Sequence, residues 1–423
     1  MYSFRSRRGF TSRSRRVSAG ITLMAAVLVA AACGSSGTAT KSPSSSTSAA
    51  SGNNSNQIII GASVAKTGSQ TFYGGPAMVA AQVAIADINA KGGAMGKKLK
   101  LIWADSQSTF AGSAQAAEQV IGQGAQVMLV DCDADYGLPA TQIAQKDGIA
   151  AMNLCAGGPS AGNPKVLPLG FSMGVATNVE AAAMAGYAYD NLHYKRVYLL
   201  QDTSIQYSKS VCSYFQEAWQ HLGGTIAGEL TFTNSDTSIQ SQVSALLNAK
   251  GSYDAIDVCS YAPGLTTAVR EIRAAGISAP LLGSVTWDGS YWLGSSGAGQ
   301  LSNAYYPAYG SLYGDDPSSQ VNALVKNVKN KMGSVPFTSF ALPGYASVQA
   351  LADGIEKAGT TNGKELVAAM QTFTNVPMIV GPVTYTPQEH IRMEGKVQLA
   401  MMKIVDGKQQ FVQEYYPSYI PAP

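Results

Sequence analysis

From Ile58 onward the chain alternates strand-like and helix-like segments, and it runs through that alternation twice. Apolar strands separated by helices pack as a parallel sheet with helices on both faces and right-handed crossovers. In the first series the strands are Ile58–Val64, Lys98–Trp103, Ala125–Val130 and Ile149–Leu154. The helices between them are Pro76–Asn89, Ala111–Gly122 and a segment from about Leu138 to Lys146. Met78, Ala81, Val83, Ile85 and Ile88 supply apolar positions of the first helix. The pattern restarts with a helix at Val179–Asn191 and a strand at Arg196–Gln201. Helices Ser208–His221, Ile239–Lys250 and Leu265–Ala275 then alternate with strands Gly224–Phe232, Ala255–Cys259 and Pro280–Gly283.

The rest of the chain holds helices at Val321–Met332 and Tyr345–Lys357, strands at Val383–Tyr385 and Val397–Val405, and a hairpin turn at Asp406-Gly407. Those elements complete the two lobes rather than build a third domain. The fold class is therefore α/β, with two doubly wound parallel-sheet lobes. Ligands of such sheets sit beyond the carboxyl ends of the strands, so two lobes facing each other there form a cleft.

The segment before Ile58 follows different rules. Arg5, Arg7, Arg8, Arg13, Arg15 and Arg16 precede an uncharged stretch from Val17 to Ala32, which has the length of a signal-peptide core rather than a membrane span. It ends in Ala30-Ala31-Ala32-Cys33-Gly34, which resembles a bacterial lipobox with Ala30 where leucine is more usual. Residues 1–32 thus read as a lipoprotein signal peptide with Cys33 as the lipid-bearing residue. Ser6-Arg7-Arg8-Gly9-Phe10 also resembles a twin-arginine signal, so the export route stays open. Residues 33–57 are Ser-, Thr- and Gly-rich and too polar to offset their ordering entropy, giving a flexible tether with a span on the order of 25–30 Å.

The leader also accounts for the basic charge. It carries six of the 29 Lys and Arg residues and no acid, so the remaining 23 bases face 26 acids. A nucleic-acid partner is not indicated, because no basic excess remains to neutralise phosphates. The three histidines, His193, His221 and His390, are far apart, and no His/Cys spacing suits a metal. No cofactor is expected.

The folded part resembles a known family. Ile58-Ile59-Ile60-Gly61-Ala62-Ser63-Val64, Thr67-Gly68, Tyr73-Gly74, the Ile-Asn-x-x-Gly-Gly segment Ile88 to Gly93, and Gly96-Lys97-Lys98-Leu99 carry the resemblance. Gly381-Pro382, Tyr385, Gln398-Leu399-Ala400-Met401 and Asp406-Gly407 extend it, so that it covers about residues 58–410. These segments are similar to the leucine/isoleucine/valine-binding protein family, the substrate-binding lipoproteins of branched-chain amino-acid-type ABC importers with the type I periplasmic-binding-protein fold. The resemblance implies a three-crossover hinge near residues 175, 306 and 378. Lobe 1 is then 58–175 plus 307–378, and lobe 2 is 176–306 plus 379–423. It also implies a monomer on the outer face of the bacterial cytoplasmic membrane, capturing a small ligand and passing it to permease subunits.

The strand-end loops nominate the site. Phe72 and Tyr73 match the family's ligand-packing aromatic. Asp131-Cys132-Asp133-Ala134-Asp135-Tyr136 replaces a Ser/Thr-rich loop that binds the ligand carboxylate at a helix N-terminus. Asp135 suits the N-cap of the following helix, leaving Asp133 to face a ligand; a cationic, amide, polyol or aromatic ligand is compatible. Ala156 and Gly157 offer backbone N–H groups. Tyr207 and Tyr261 match cleft tyrosines of the second lobe, and Asp288, beside Trp287, is the nearest substitute for the family's ammonium-binding acid. Tyr309 and Tyr313 follow the second crossover.

With Cys33 lipidated, four cysteines remain. Cys132 and Cys155 each follow a strand of the first lobe, and neighbouring strand ends lie about 5 Å apart, which suits a disulfide. Cys259 ends a second-lobe strand and Cys212 starts a second-lobe helix at the same edge. The other pairings would join the lobes and lock the hinge. The expected bridges are Cys132–Cys155 and Cys212–Cys259.

Two other function classes stay open. A sensor presenting its closed form to a membrane receptor fits the same features. A hydrolase lacks support, since there is no G-x-S-x-G elbow and no histidine in a strand-end loop.

Overall fold

The computed structural model describes residues 56–295, 301–392 and 399–423. The signal peptide, Cys33 and nearly all of the tether lie outside the described residues, as do Val397 and Gln398. Among the described residues no helix is long and apolar enough to cross a membrane.

The first series forms β1 (Gln57–Val64), α1 (Thr71–Ala90), β2 (Lys98–Asp105), α2 (Phe110–Gly122), β3 (Val127–Val130), α3 (Ala134–Lys146), β4 (Ala151–Asn153) and β5 (Gly170–Val175). The second forms α4 (Thr177–Asp190), β6 (Arg196–Asp202), α5 (Gln206–His221), β7 (Thr225–Phe232), α6 (Gln240–Asn248), β8 (Ala255–Cys259), α7 (Gly264–Ala274) and β9 (Leu281–Leu282). Then follow α8 (Tyr291–Ser295), β10 (Ala304–Ala308), α9 (Ser319–Met332), α10 (Ala341–Ala358) and α11 (Gly363–Met370). The chain closes with β11 (Val376–Met378), β12 (Gly381–Val383), β13 (Ile391–Arg392), β14 (Leu399–Val405) and β15 (Lys408–Tyr415).

Two sheets result. One runs β13-β5-β4-β3-β1-β2 and is parallel throughout. The other runs β15-β14-β10-β9-β8-β6-β7, with antiparallel pairing only at β10/β14 and β14/β15. In each, the strand order reverses once, between β1 and β3 and between β6 and β8. Helices leave a crevice at such reversal points. The loops after β1, β3, β6 and β8 are therefore the ones that face the cleft.

α1 and α3 begin earlier than Pro76 and Leu138, at Thr71 and Ala134. Each contains an internal proline, Pro76 or Pro139, so the usual first-turn position of proline misplaced the start. The consequence is functional: Phe72, Tyr73, Asp135 and Tyr136 sit on the first turns of helices, not in free loops.

The chain also leaves the first lobe later than residue 378. β11 and β12 pair with each other, and β13 then pairs with β5. Tyr385 donates its hydroxyl to the Ser172 carbonyl at 3.1 Å, and the His390 ring meets the Gly170 carbonyl at 2.9 Å. These polar contacts hold 385–392 against β5 (a short, weakly patterned segment on its own), and the chain then enters the second sheet at β14 and β15.

The motif Ile88 to Gly93 has a local cause. Gly92 and Gly93 take φ of 121° and 91°, conformations that glycine alone adopts freely. A Cβ on Gly93 would lie 1.8 Å from the Lys97 carbonyl oxygen. Asn89 accepts from Leu99 N at 2.7 Å and donates to Leu99 O at 2.8 Å, pinning α1 to β2 across that turn.

The C-terminal tail returns to the start of α4. Tyr419 stacks on His221 with ring centroids 3.6 Å apart and donates to Glu217 at 2.9 Å. The Pro421 carbonyl, on a buried residue, accepts from Asn178 Nδ2 at 2.8 Å.

Candidate functional site

A small cavity of about 30 Å³ lies where the two reversal points face each other. Tyr73, Asp133 and Gly157 line it from the first lobe, and Tyr207, Tyr261 and Thr286 from the second. Glu180, Tyr309 and Phe340 complete the wall with Gln70 and a set of aliphatic side chains.

The lobes touch around this cavity. Tyr73 accepts a hydrogen bond from Ala262 N at 3.2 Å and one from the Tyr291 hydroxyl at 3.1 Å. Phe72 stacks on Tyr291 with centroids 4.4 Å apart. Asp135 accepts from Gln206 N at 3.0 Å, at the first residue of α5. The adjacent aromatics therefore divide the work: Tyr73 lines the cavity and Phe72 packs on the opposite lobe.

Asp133, not Asp135, is the N-cap of α3; its Oδ1 accepts from Asp135 N at 2.9 Å and Tyr136 N at 3.2 Å. The helix starts before Leu138, which moves the cap upstream. Burial, with the Asp135 charge second, pushes the Asp133 carboxyl up to about 7. Asp131, behind it, accepts from Ala65 N at 2.9 Å, and burial raises it to about 6.

The loop after β4 is also self-capped. Asn153 Oδ1 accepts from Cys155 N at 3.2 Å and Ala156 N at 2.7 Å. Ala156 offers no free N–H and does not line the cavity, whereas Gly157 does. Ala134 and Tyr136 also stand outside the lining, Tyr136 against Phe110 with centroids 5.2 Å apart.

In the second lobe Tyr207 and Tyr261 line the cavity, but Trp287 and Asp288 do not. Trp287 is core, donating to the Val258 carbonyl at 3.2 Å. Asp288 is buried among the Tyr306 and Tyr313 hydroxyls, at 3.3 and 3.2 Å, and the Ser339 N–H.

The second-lobe acid in the cavity is Glu180 of α4, fully buried. Its Oε2 accepts from the Tyr207 hydroxyl at 3.1 Å and Val285 N at 3.2 Å. Its Oε1 has no hydrogen-bond partner among the described residues. Burial pushes the carboxyl up to about 8. The sequence signal was present: Glu180 is the one charge in the small-residue run from Thr177 to Ala188.

The four cysteines meet in two pairs, Cys132 with Cys155 (Cα–Cα 4.4 Å) and Cys212 with Cys259 (5.5 Å). Asp257 lies within 4.8 Å of the Cys212 and Cys259 sulfurs, away from the cavity lining.

Known proteins share this architecture. A Leu/Ile/Val-binding protein of Rhizobium johnstonii is 26% identical over 78% of this chain and 87% of its own length. A substrate-binding protein of a branched-chain amino-acid transporter from Streptococcus pneumoniae, solved with isoleucine, superposes with a TM-score of 0.75 at 23% identity, covering 84% of this chain and 99% of that one. A solute-binding protein of a Rhodopseudomonas palustris ABC transporter, solved with benzoate, gives 0.72 at 17% identity, covering 86% and 98%. The model of the periplasmic binding protein family matches residues 57–409. With two reversal-point sheets closing on one cavity, the chain belongs to the periplasmic binding protein family, of the type I leucine/isoleucine/valine-binding kind.

Proposed function

We propose that the protein is a lipid-anchored, extracytoplasmic solute-binding protein that captures a small ligand between its lobes and delivers it to an ABC importer. It is of the branched-chain amino-acid transporter type, and the observation that carries the reading is the cavity walled by both lobes at their reversal points. A ligand there contacts both walls at once, so it favours the closed form over the open one, which is how hinge closure is driven. Asp133, Tyr73, Tyr207 and Tyr261 are the ligand-facing groups of this reading, with Glu180 added. Phe72, Asp135 and Gln206 join the lobes at the rim.

Binding is reversible and leaves the ligand unchanged. A thermal-shift screen over amino acids, amides, aromatic acids, polyamines and sugars tests it: a specific ligand at a hundred times its Kd adds about 2.7 kcal/mol of stability. Tyr261→Ala should then weaken that ligand by about 1–3 kcal/mol, as truncation of a buried aromatic anchor does. Recovery of a chemically altered ligand overturns the reading.

The anchor is tested apart from the fold. Cys33→Ser should move the protein from the membrane fraction to the medium or periplasm; continued membrane association refutes lipidation at Cys33.

The two cysteine pairs are proposed as disulfides of an oxidising compartment. With a sequence separation of 23, Cys132 and Cys155 close a loop whose bridge contributes about 3 kcal/mol. Cys132→Ser/Cys155→Ser should lower stability by that amount and loosen the loop that carries Asp133. Peptide mapping without reductant checks both bridges; free thiols at all four positions overturn them.

A further inference from the structure

The cavity contains two acids, Asp133 and Glu180, and among its described lining residues no Lys, Arg or His. Four backbone N–H groups of the loops after β3 and β4 are already occupied by the chain's own side chains. The Asp133 carboxylate caps the first N–H groups of α3, where the helix dipole would otherwise attract an anion. Asn153 takes the N–H groups of Cys155 and Ala156. A ligand carboxylate placed against these two loops meets a side-chain oxygen in each.

Glu180 presents the opposite case. It is a fully buried carboxyl with one oxygen satisfied twice and the other without a partner. A buried polar atom without a partner costs stability, and an N–H donor supplied by a ligand removes that cost. Apart from Gln70, Thr286 and the Cys132 and Cys155 sulfurs, the rest of the wall is mainly aromatic and aliphatic, suited to an apolar body.

Resting on the solute-binding reading, we propose that the ligand is a small primary amine with an apolar or aromatic body and no carboxylate, its ammonium seated on Glu180 Oε1. This differs from isoleucine and benzoate, the carboxylates bound by the two solved neighbours.

The electrostatics support the assignment and give it a signature. Burial holds the empty site's Glu180 near 8, so at neutral pH it carries a proton. Seating an ammonium ionises it, and the proton leaves to solvent. The groups facing Glu180 are the Tyr207 hydroxyl from α5, the Val285 N–H and Tyr309 beyond β10, whose ring also faces Arg392 at 5.9 Å. Burial raises both tyrosines above their ordinary value, so they stay neutral. Across the cavity only Asp133, raised to about 7, titrates in the same range.

The test is calorimetric titration of the full chain in detergent micelles with two matched sets: phenethylamine, phenylalanine, hydrocinnamate and phenylacetamide, and isopentylamine, leucine and isocaproate. The amines should bind, the amino acids at least tenfold more weakly, and the two carboxylic acids not at all. Repeating the amine titration in buffers of different ionisation enthalpy near neutral pH should show release of about one proton, with affinity rising about tenfold per pH unit up to about pH 8. Glu180→Gln should cost the amines at least tenfold and remove the proton release. The proton count needs no variant, so it stands if Glu180→Gln does not fold. Tighter binding of a carboxylate, amino acid or amide, or no proton release, overturns the amine assignment and leaves solute binding intact. If no compound of either set binds, the amine assignment falls, and solute binding falls with it only when the wider screen is also empty.

Discussion

Raising the pH from about 5.5 to about 8.5 is expected to destabilise the ligand-free protein on the order of 6 kcal/mol. Asp131, Asp133 and Glu180 are held in the folded chain at about 6, 7 and 8, all above the ordinary carboxyl range. Burial is the leading cause in each case, and no Lys or Arg is among their hydrogen-bond partners. In the unfolded chain the same groups release their protons near pH 4. The folded state therefore binds more protons than the unfolded state through this range. Its stability is full below the unfolded value and is lost as the pH rises through the folded values. Urea midpoints at constant slope read the effect. Glu180→Gln should flatten the upper part of the curve and Asp131→Asn the lower part. A midpoint that climbs with pH would show these carboxyls to be ionised and paired instead.

Gly93→Ala is expected to cost about 3 kcal/mol, more than most surface substitutions. Two terms contribute. A side chain at φ of 91° is strained, and its Cβ would be forced to within 1.8 Å of the Lys97 carbonyl oxygen, which is backbone and cannot swing away. Gly92→Ala is the natural control. Gly92 also has positive φ, 121°, but a Cβ there meets nothing within 4 Å. It should pay only the conformational term, about 1–2 kcal/mol. Equal losses in thermal or chemical unfolding would mean that the turn relaxes and the collision with Lys97 is not made.

That turn also shows why parts of the fold were legible. Ile88 to Gly93 needs glycine for local reasons, and local reasons leave local marks. The strands were legible because both their faces are buried and they read as continuous apolar runs, as in Val127–Val130, where every residue is buried. The pairing of Cys132 with Cys155 was legible because β3 and β4 are neighbouring parallel strands that end side by side. Legibility failed where non-local contacts decide. Asp288 and Glu180 are both buried acids of the second lobe, and the lone charge in the run Thr177 to Ala188 marks Glu180 as unusual without telling which of the two faces the cavity. The choice follows from packing: Asp288 is taken up by Tyr306, Tyr313 and Ser339, whereas Glu180 keeps an oxygen unspent. The late passage to the second lobe was hidden for the same cause. Ile391 and Arg392 carry little strand signal, and their place on β5 depends on Tyr385 and His390 reaching Ser172 and Gly170.

The docked tail bears on how this protein can be labelled. The Pro421 carbonyl is bonded to Asn178, in the first turn of the helix that carries Glu180, and Tyr419 is stacked on His221 of α5, the helix that carries Tyr207. Purification tags or fluorescent domains joined after Pro423 would tug on both helices at once, and a reporter built that way would record the strain of its own attachment alongside ligand occupancy. The exposed turn at Asp406-Gly407, between β14 and β15 on the outer edge of the second sheet, offers a graft point on a strand pair remote in sequence from both helices.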